Sequence, residues 1–229
     1  MIAAAVLLSR ILGLLKYRLL TSHFTVSSFG AFVTSFRFRN RIFDLVVMGA
    51  LNTAFIPIFT SFISREKYKD ANIIASTILN ISAIVFAVLS VIFLVFTENL
   101  IHLIAPGLAP SEVSLAVPFT RIMLVGQTLP LILGNFLTGI LQSQKRFLVP
   151  ALAPVVYNLG IILGIIFLSP SIGMYGAVWG VVFGAILFLA IQIPLSVHLK
   201  FHYKLIIDWS HRGVKDIARL IVLRTIGLA

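Results

Sequence analysis

The sequence contains no cysteine, so disulfides and thiolate metal sites are excluded from the outset. Acid is also scarce: seven Asp and Glu stand against 18 Lys and Arg, leaving a formal net charge of +11. Charge of either sign makes up only 11% of residues, against 59% hydrophobic, and the mean hydropathy is +1.08. A soluble core does not have this composition, whereas a membrane protein does. No HExxH, GxSxG, Walker or Gly-rich nucleotide pattern occurs. His23, His102, His198, His202 and His211 show no metal spacing and read as interfacial. No residue is therefore a candidate for catalysis, and neither a metal nor a cofactor is expected. The excess of base does not point to nucleic acid, because it sits beside or inside apolar runs. Anionic lipid or a charged membrane substrate suits it better.

What the sequence has is long apolar runs. Within 229 residues there is room for six or seven helical spans, each needing about 20 residues. The fold class expected is an all-α polytopic membrane helix bundle, with six transmembrane helices and the start of a seventh. The spans read as Met1 to Leu20, Phe29 to Ile63, Ala71 to Phe96, Leu115 to Leu141, Val149 to Leu168 and Met174 to Val197. Pro130 is expected to interrupt the fourth. Residues 1–198 then form a six-helix lobe, 199–215 a basic connector, and 216–229 the start of the seventh helix. That last segment reaches only about 21 Å, too short to cross. The first span lacks a basic leader and a convincing cleavage site, so it reads as a retained helix.

Basic residues alternate between connectors. Arg65, Lys67 and Lys69, then Lys145 and Arg146, then Lys200, Lys204, Arg212 and Lys215 mark every second one. The positive-inside rule puts these, and the N-terminus, on the cytoplasmic side of the membrane. The last connector mixes its bases with Ile206, Ile207 and Trp209, which suits either an amphipathic stretch along the leaflet or a plain loop. Asn80, Asn135 and Asn158 inside spans read as interhelical hydrogen bonds, and the Gly-Ala pairs at 49, 176 and 184 as close-packing sites.

The second span is the anomaly. Arg37, Arg39, Arg41 and Asp44 fall within eight residues of an apolar stretch about 50 Å long if straight, so a bend is expected near Gly49 or Pro57. Each arginine facing lipid would cost on the order of 3 kcal/mol. They are tolerable facing a watery cavity, pairing with an anion, or reaching the surface. Arg41 and Asp44 are spaced to pair as i and i+3. With Arg10 near the middle of the first span and Lys16 near its end, the first two helices hold more cations than acids. Guanidinium groups suit phosphate and pyrophosphate because their fork matches two oxygens. The candidate substrate-binding residues are thus Arg10, Lys16, Arg37, Arg39 and Arg41, with Asp44 as charge partner.

Further residues carry a resemblance. Ser9-Arg10-Ile11-Leu12-Gly13 looks like the SRxLG signature of MurJ (MviN-type) lipid II flippases of the MOP exporter superfamily. Gly49-Ala50 with Ala54-Phe55-Ile56-Pro57, Ala105-Pro106-Gly107 and Arg121-Ile122 follow in the family's order. So do Arg146-Phe147 with Pro150-Ala151-Leu152-Ala153-Pro154 and Asn158, then Gln192 with Pro194. The resemblance runs along essentially the whole sequence. It implies the N-terminal lobe of a two-lobe transporter that moves an undecaprenyl-pyrophosphate-linked peptidoglycan precursor across the membrane by alternating access. A membrane potential or ion gradient would drive the cycle, and a second lobe or partner chain would complete the cavity. By motif position Arg10 and Lys16 match basic residues that line the family's cavity. Gly30 stands where many members have an acid, Arg39 replaces a common proline, and Phe43-Asp44 replaces a basic pair. A polysaccharide-lipid flippase or a cation-coupled drug exporter of the same superfamily is the alternative, though an exporter would place more carboxylates inside. A non-transport scaffold would satisfy its arginines internally or at the lipid surface.

Overall fold

In the computed structural model the backbone is described for residues 1–43 and 54–227, and the side chains for residues 1–37 and 54–221. Eleven helices follow one another among the described residues: α1 (Ile2–His23), α2 (Val26–Phe43), α3 (Ile56–Ile63), α4 (Tyr68–Val95), α5 (Thr97–Ile104), α6 (Pro110–Ser143), α7 (Leu148–Leu163), α8 (Ser169–Ile172), α9 (Met174–Ala190), α10 (Ile193–His198) and α11 (Arg212–Gly227). A π-helical segment, Gly164–Leu168, joins α7 to α8. No strand occurs among the described residues. The chain is an all-α, multi-pass membrane bundle. Among the described residues, four helical stretches are long and apolar enough to cross a bilayer: Tyr68–Val95, Pro110–Ser143, Leu148–Ile172 and Met174–His198.

The centre of the bundle is α9, which is apolar on every side and buried on most of them. It packs against α6 and α7. Glycines set the approach to α7: a Cβ on Gly164 would lie 2.4 Å from the Gly180 Cα, and one on Gly160 equally close to the Gly184 Cα. Gly160 and Gly164 face Gly176, Gly180 and Gly184 at four-residue spacing, so two backbones meet where side chains would hold them apart. The packing role expected for the glycines at 176 and 184 is what the structure shows.

Two apolar clusters flank this hub. One gathers Phe55, Phe59, Ile74, Ile132, Phe136 and Ile140, largely from α3, α4 and α6. The other gathers Leu20, Phe32, Phe119, Met123, Val178 and Val181 from α1, α2, α6 and α9. Long α6 reaches both, because its 34 residues span about 51 Å. It runs unbroken through Pro118 and Pro130, against the expected interruption at Pro130.

Other boundaries also differ from the reading of the sequence. The expected loop at 97–114 contains α5 and the first turn of α6. Glu112 explains the early start, since its Oε2 accepts the Ala109 N–H at 3.1 Å and caps the helix. The final helix begins at Arg212, four residues before the expected start at Asp216. α2 ends at Phe43 and α3 begins at Ile56 with Pro57 in its first turn, while the bend expected at Gly49 lies outside the described residues.

Candidate substrate-binding site

α1 touches the lobe along one stripe. Ala5, Lys16 and Leu20 are buried, Ser9 and Leu12 are half-buried, and most of the remaining circumference is exposed. Four-three-four-four spacing keeps these five residues on one helix face. A lysine in such a stripe is unexpected, and Lys16 is only 6% exposed. Its Nζ donates to the Asn158 Oδ1 of α7 at 3.4 Å. It also lies 5.1 Å from the ring centre of Phe36 in α2 and 4.8 Å from that of Tyr17. Aromatic faces and one neutral oxygen offset part of the cost of withdrawing an ammonium from water. Among the described residues no carboxylate pairs with it; the ion pairs there are His211 with Asp70 and Arg212 with Asp216.

Asn158 does more than accept from Lys16. Its Nδ2 donates to the Ser9 carbonyl at 3.2 Å, to Ser9 Oγ at 3.4 Å, and to its own helix at the Pro154 carbonyl, 3.1 Å away. One amide therefore fixes two turns of α1 on α7, as expected of an interhelical asparagine. The other two asparagines behave differently. Asn135 bonds back to Leu131 within α6. Asn80 bonds to the connector after α10.

The remaining candidates are not all gathered here. Arg10 is exposed and lies about 120° around α1 from Lys16, so the two do not share a face. Arg37 is exposed and follows Phe36, whose ring faces Lys16, but one residue along a helix turns its side chain by about 100°, so the two cations do not share that contact. The side chains of Arg39 and Arg41 lie outside the described residues, as does Asp44, and with them the expected Arg41–Asp44 pair. A Cβ on Gly30 would sit 3.5 Å from Glu112 Oε1. An acid at position 30 would therefore crowd a carboxylate that α6 already supplies.

With the third span ending at Phe96 and the fourth starting at Leu115, the sequence reading left Glu112 between helices and missed this role. It also missed the polar row of Asn72, Ser76, Thr77 and Asn80 on α4. Their spacing of four, one and three was the available signal, since it puts four polar groups on one side of an otherwise apolar helix.

The same arrangement of helices occurs in a solved lipid II flippase MurJ in an inward closed conformation. It matches with a TM-score of 0.76 and 25% identity, covering 98% of this chain and 47% of that one. A MOP superfamily transporter from Pyrococcus furiosus shares the fold at a TM-score of 0.71 and 16% identity, covering 98% and 51%. The fold is that of about half of a solved membrane flippase chain. A family model described as lipid II flippase MurJ matches residues 21–229, and the chain belongs to that family. A lipid II flippase MurJ from Burkholderia cenocepacia is 30% identical over 193 residues, covering 82% of this chain and 37% of its own length. A probable lipid II flippase MurJ from Buchnera aphidicola is 28% identical over 220 residues, covering 93% and 42%. The chain thus spans about two fifths of the length of these curated relatives.

Proposed function

We propose that this chain forms one lobe of a lipid II flippase and that the outward face of α1 with the second half of α2 borders its transport cavity. The family match across residues 21–229 carries the reading. Two local features accord with it. α1 holds Arg10 on a side the lobe leaves open, and Lys16 has a neutral partner that an anion can outcompete. A lipid pyrophosphate supplies that anion while its prenyl tail stays in the bilayer. A second lobe, from the same protein or a partner chain, would close the cavity over the exposed apolar residues of α1. An ion gradient or the membrane potential would drive the cycle.

The substitution of a basic pair by Phe43-Asp44 favours a second reading, transport of another polyprenyl-pyrophosphate glycan, so both lipids belong in the test. Reconstituted complete protein should flip lipid II. Arg10→Ala should reduce binding and flipping by about ten- to hundredfold, the worth of a charge-assisted contact of roughly 1.5–3 kcal/mol. Arg10→Lys should fall between, because it keeps charge and loses the fork. Wild-type flipping by a normally inserted Arg10→Ala protein would remove Arg10 from the site. The basic connectors favour a cytoplasmic N-terminus. Single cysteines at Lys67, Lys145 and Lys204 should accordingly label from the cytoplasm, and those at Ser27, Ser111 and Ser171 from outside.

A further inference from the structure

Between α10 and α11 the connector from Phe201 to Asp208 runs without helix along α4. Side chains of α4 hold its backbone. The Asn72 amide donates to the Lys200 carbonyl at 3.1 Å, and Asn80 donates to the carbonyls of Lys204 and Ile206 at 3.1 and 2.9 Å. Ser76 and Thr77 hydroxyls accept the N–H groups of Lys204 and Asp208 at 3.0 and 3.1 Å. Irregular backbone survives beside lipid only when protein satisfies it in this way. Tyr203, Leu205, Ile206 and Ile207 of this connector, and Trp209 just beyond it, are exposed, Leu205 at 88%. Such a row is costly in water and favourable at a membrane surface.

Phe201 and Tyr203 also wall a groove of about 420 Å³ between α4, α6 and the α9–α10 region. Leu79, Leu133, Leu137, Leu189 and Ile193 line it, with no charged side chain in the lining. Leu129, Ile193 and Val197 are exposed at its rim, so it opens sideways. At the connector the Tyr203 hydroxyl donates to Asn80 Oδ1 at 2.7 Å. Lys204 is exposed beside it, and Lys200 lies 5.6 Å from the ring centre of Tyr68. No acid occurs from Lys200 to Ile207. Asp208 is committed elsewhere. Its carboxylate accepts from the Ser210 hydroxyl and from the Ser210 and His211 N–H groups, and the Ser210 hydroxyl bond leads in holding its pKa below the ordinary value.

We propose that this groove is a lipid site: it holds an acyl chain of an anionic phospholipid whose phosphate rests on Lys204 and Lys200. A mostly apolar slot, with Asn80, Ser196 and Tyr203 as the polar side chains of its lining, is a poor fit for a sugar or a peptide, and Lys200 and Lys204, each next in sequence to a lining residue, favour phosphate with net negative charge over zwitterionic headgroups. The groove meets α6 at Leu129, Leu133 and Leu137, more than three turns along from Ala116, where Ser35 of α2 bonds to it, and does not depend on what the α1–α2 cations transport.

The test uses the full chain in mild detergent, with retained lipid counted by native mass spectrometry. One dioleoyl phosphatidylglycerol should remain after surrounding lipid is stripped, and dioleoyl phosphatidylcholine should not. Ala83→Phe fills the groove and should abolish retention. Lys200→Gln and Lys204→Gln leave the groove open and should each lower phosphatidylglycerol occupancy by roughly fivefold. Lys145→Gln, in another basic connector, should change nothing. Equal retention of the two lipids, or full retention by the double lysine variant, would overturn the proposal even if Ala83→Phe failed to fold. So would displacement of phosphatidylglycerol by equimolar undecaprenyl phosphate, which would assign the groove to a prenyl chain.

Discussion

α1 and α9 are both apolar helices of similar length, yet the lobe treats them in opposite ways. α9 is enclosed over most of its circumference, with Ala177, Val178, Val181 and Ala185 at 0% exposure, and keeps open a stripe of Trp179, Phe183 and Ile186. α1 hangs at the edge by one stripe, and Leu7, Ile11 and Leu14 on its other sides remain open. Composition already separates them in part, since α1 carries Arg10, Lys16 and Arg18 where α9 has no charge. What further distinguishes them is the partner-facing chemistry: backbone-to-backbone glycine contacts for α9, and a single amide with a buried ammonium for α1.

The largest effect should come from breaking the enclosed helix. A Cβ at Gly180 would lie 2.9 Å from the Ile161 carbonyl oxygen and 3.0 Å from the Gly164 Cα, both backbone atoms that cannot step aside. Gly180→Leu should therefore cost at or above the upper end of roughly 1–3 kcal/mol for overpacking. Loss of the monodisperse peak in size-exclusion chromatography and a lowered thermal midpoint would show it. An unchanged midpoint would mean that α7 and α9 are not held by their glycines.

A smaller loss should follow from unpinning α1. Asn158→Leu removes the bonds to Ser9 and leaves the Lys16 ammonium without its acceptor, a cost of about 1–3 kcal/mol. Adding Lys16→Met to Asn158→Leu should recover much of that loss, because replacing both members of a buried polar pair by apolar groups is often close to neutral. Equal and additive losses from the two single changes, with no recovery in the double variant, would separate Lys16 energetically from Asn158. Lys16→Met alone should change lobe stability little, yet lower lipid II binding by the complete protein.

Much of this contrast is legible in the sequence. The four-residue glycine spacing in 160–184 announces the close pair, and the alternation of basic connectors announces a polytopic bundle. Asn158 is recognisable as an interhelical donor by being an amide inside an apolar span. The separation of Arg10 from Lys16 follows from six residues of helix, but which of the two faces inward does not, because the deciding partner is 142 residues away from Lys16. The connector on α4 is harder still. Its bonds join backbone to side chains across more than 120 residues, and neither end advertises the other.

The smallest effect sharpens the comparison most. Gly13 of α1 has no heavy atom within 4 Å of where a Cβ would stand, whereas every glycine facing across the α7–α9 contact would meet backbone. Within the lobe, Gly13→Ala therefore adds no clash. It exchanges the poorest ordinary helix former for the best, worth up to about 1 kcal/mol in favour of α1. Thermal unfolding of the lobe should be unchanged or slightly raised. Gly13 also lies three residues after Arg10, on the side of α1 adjoining the proposed cavity. If lipid or a second lobe approaches the helix backbone there, the same methyl group will lower flipping by the complete protein while the lobe's own stability holds. Measuring both quantities on one variant separates an empty edge from an occupied one. A stability loss in the lobe would show that α1 is packed on that side after all, and no change in flipping would show that nothing approaches Gly13 closely during transport.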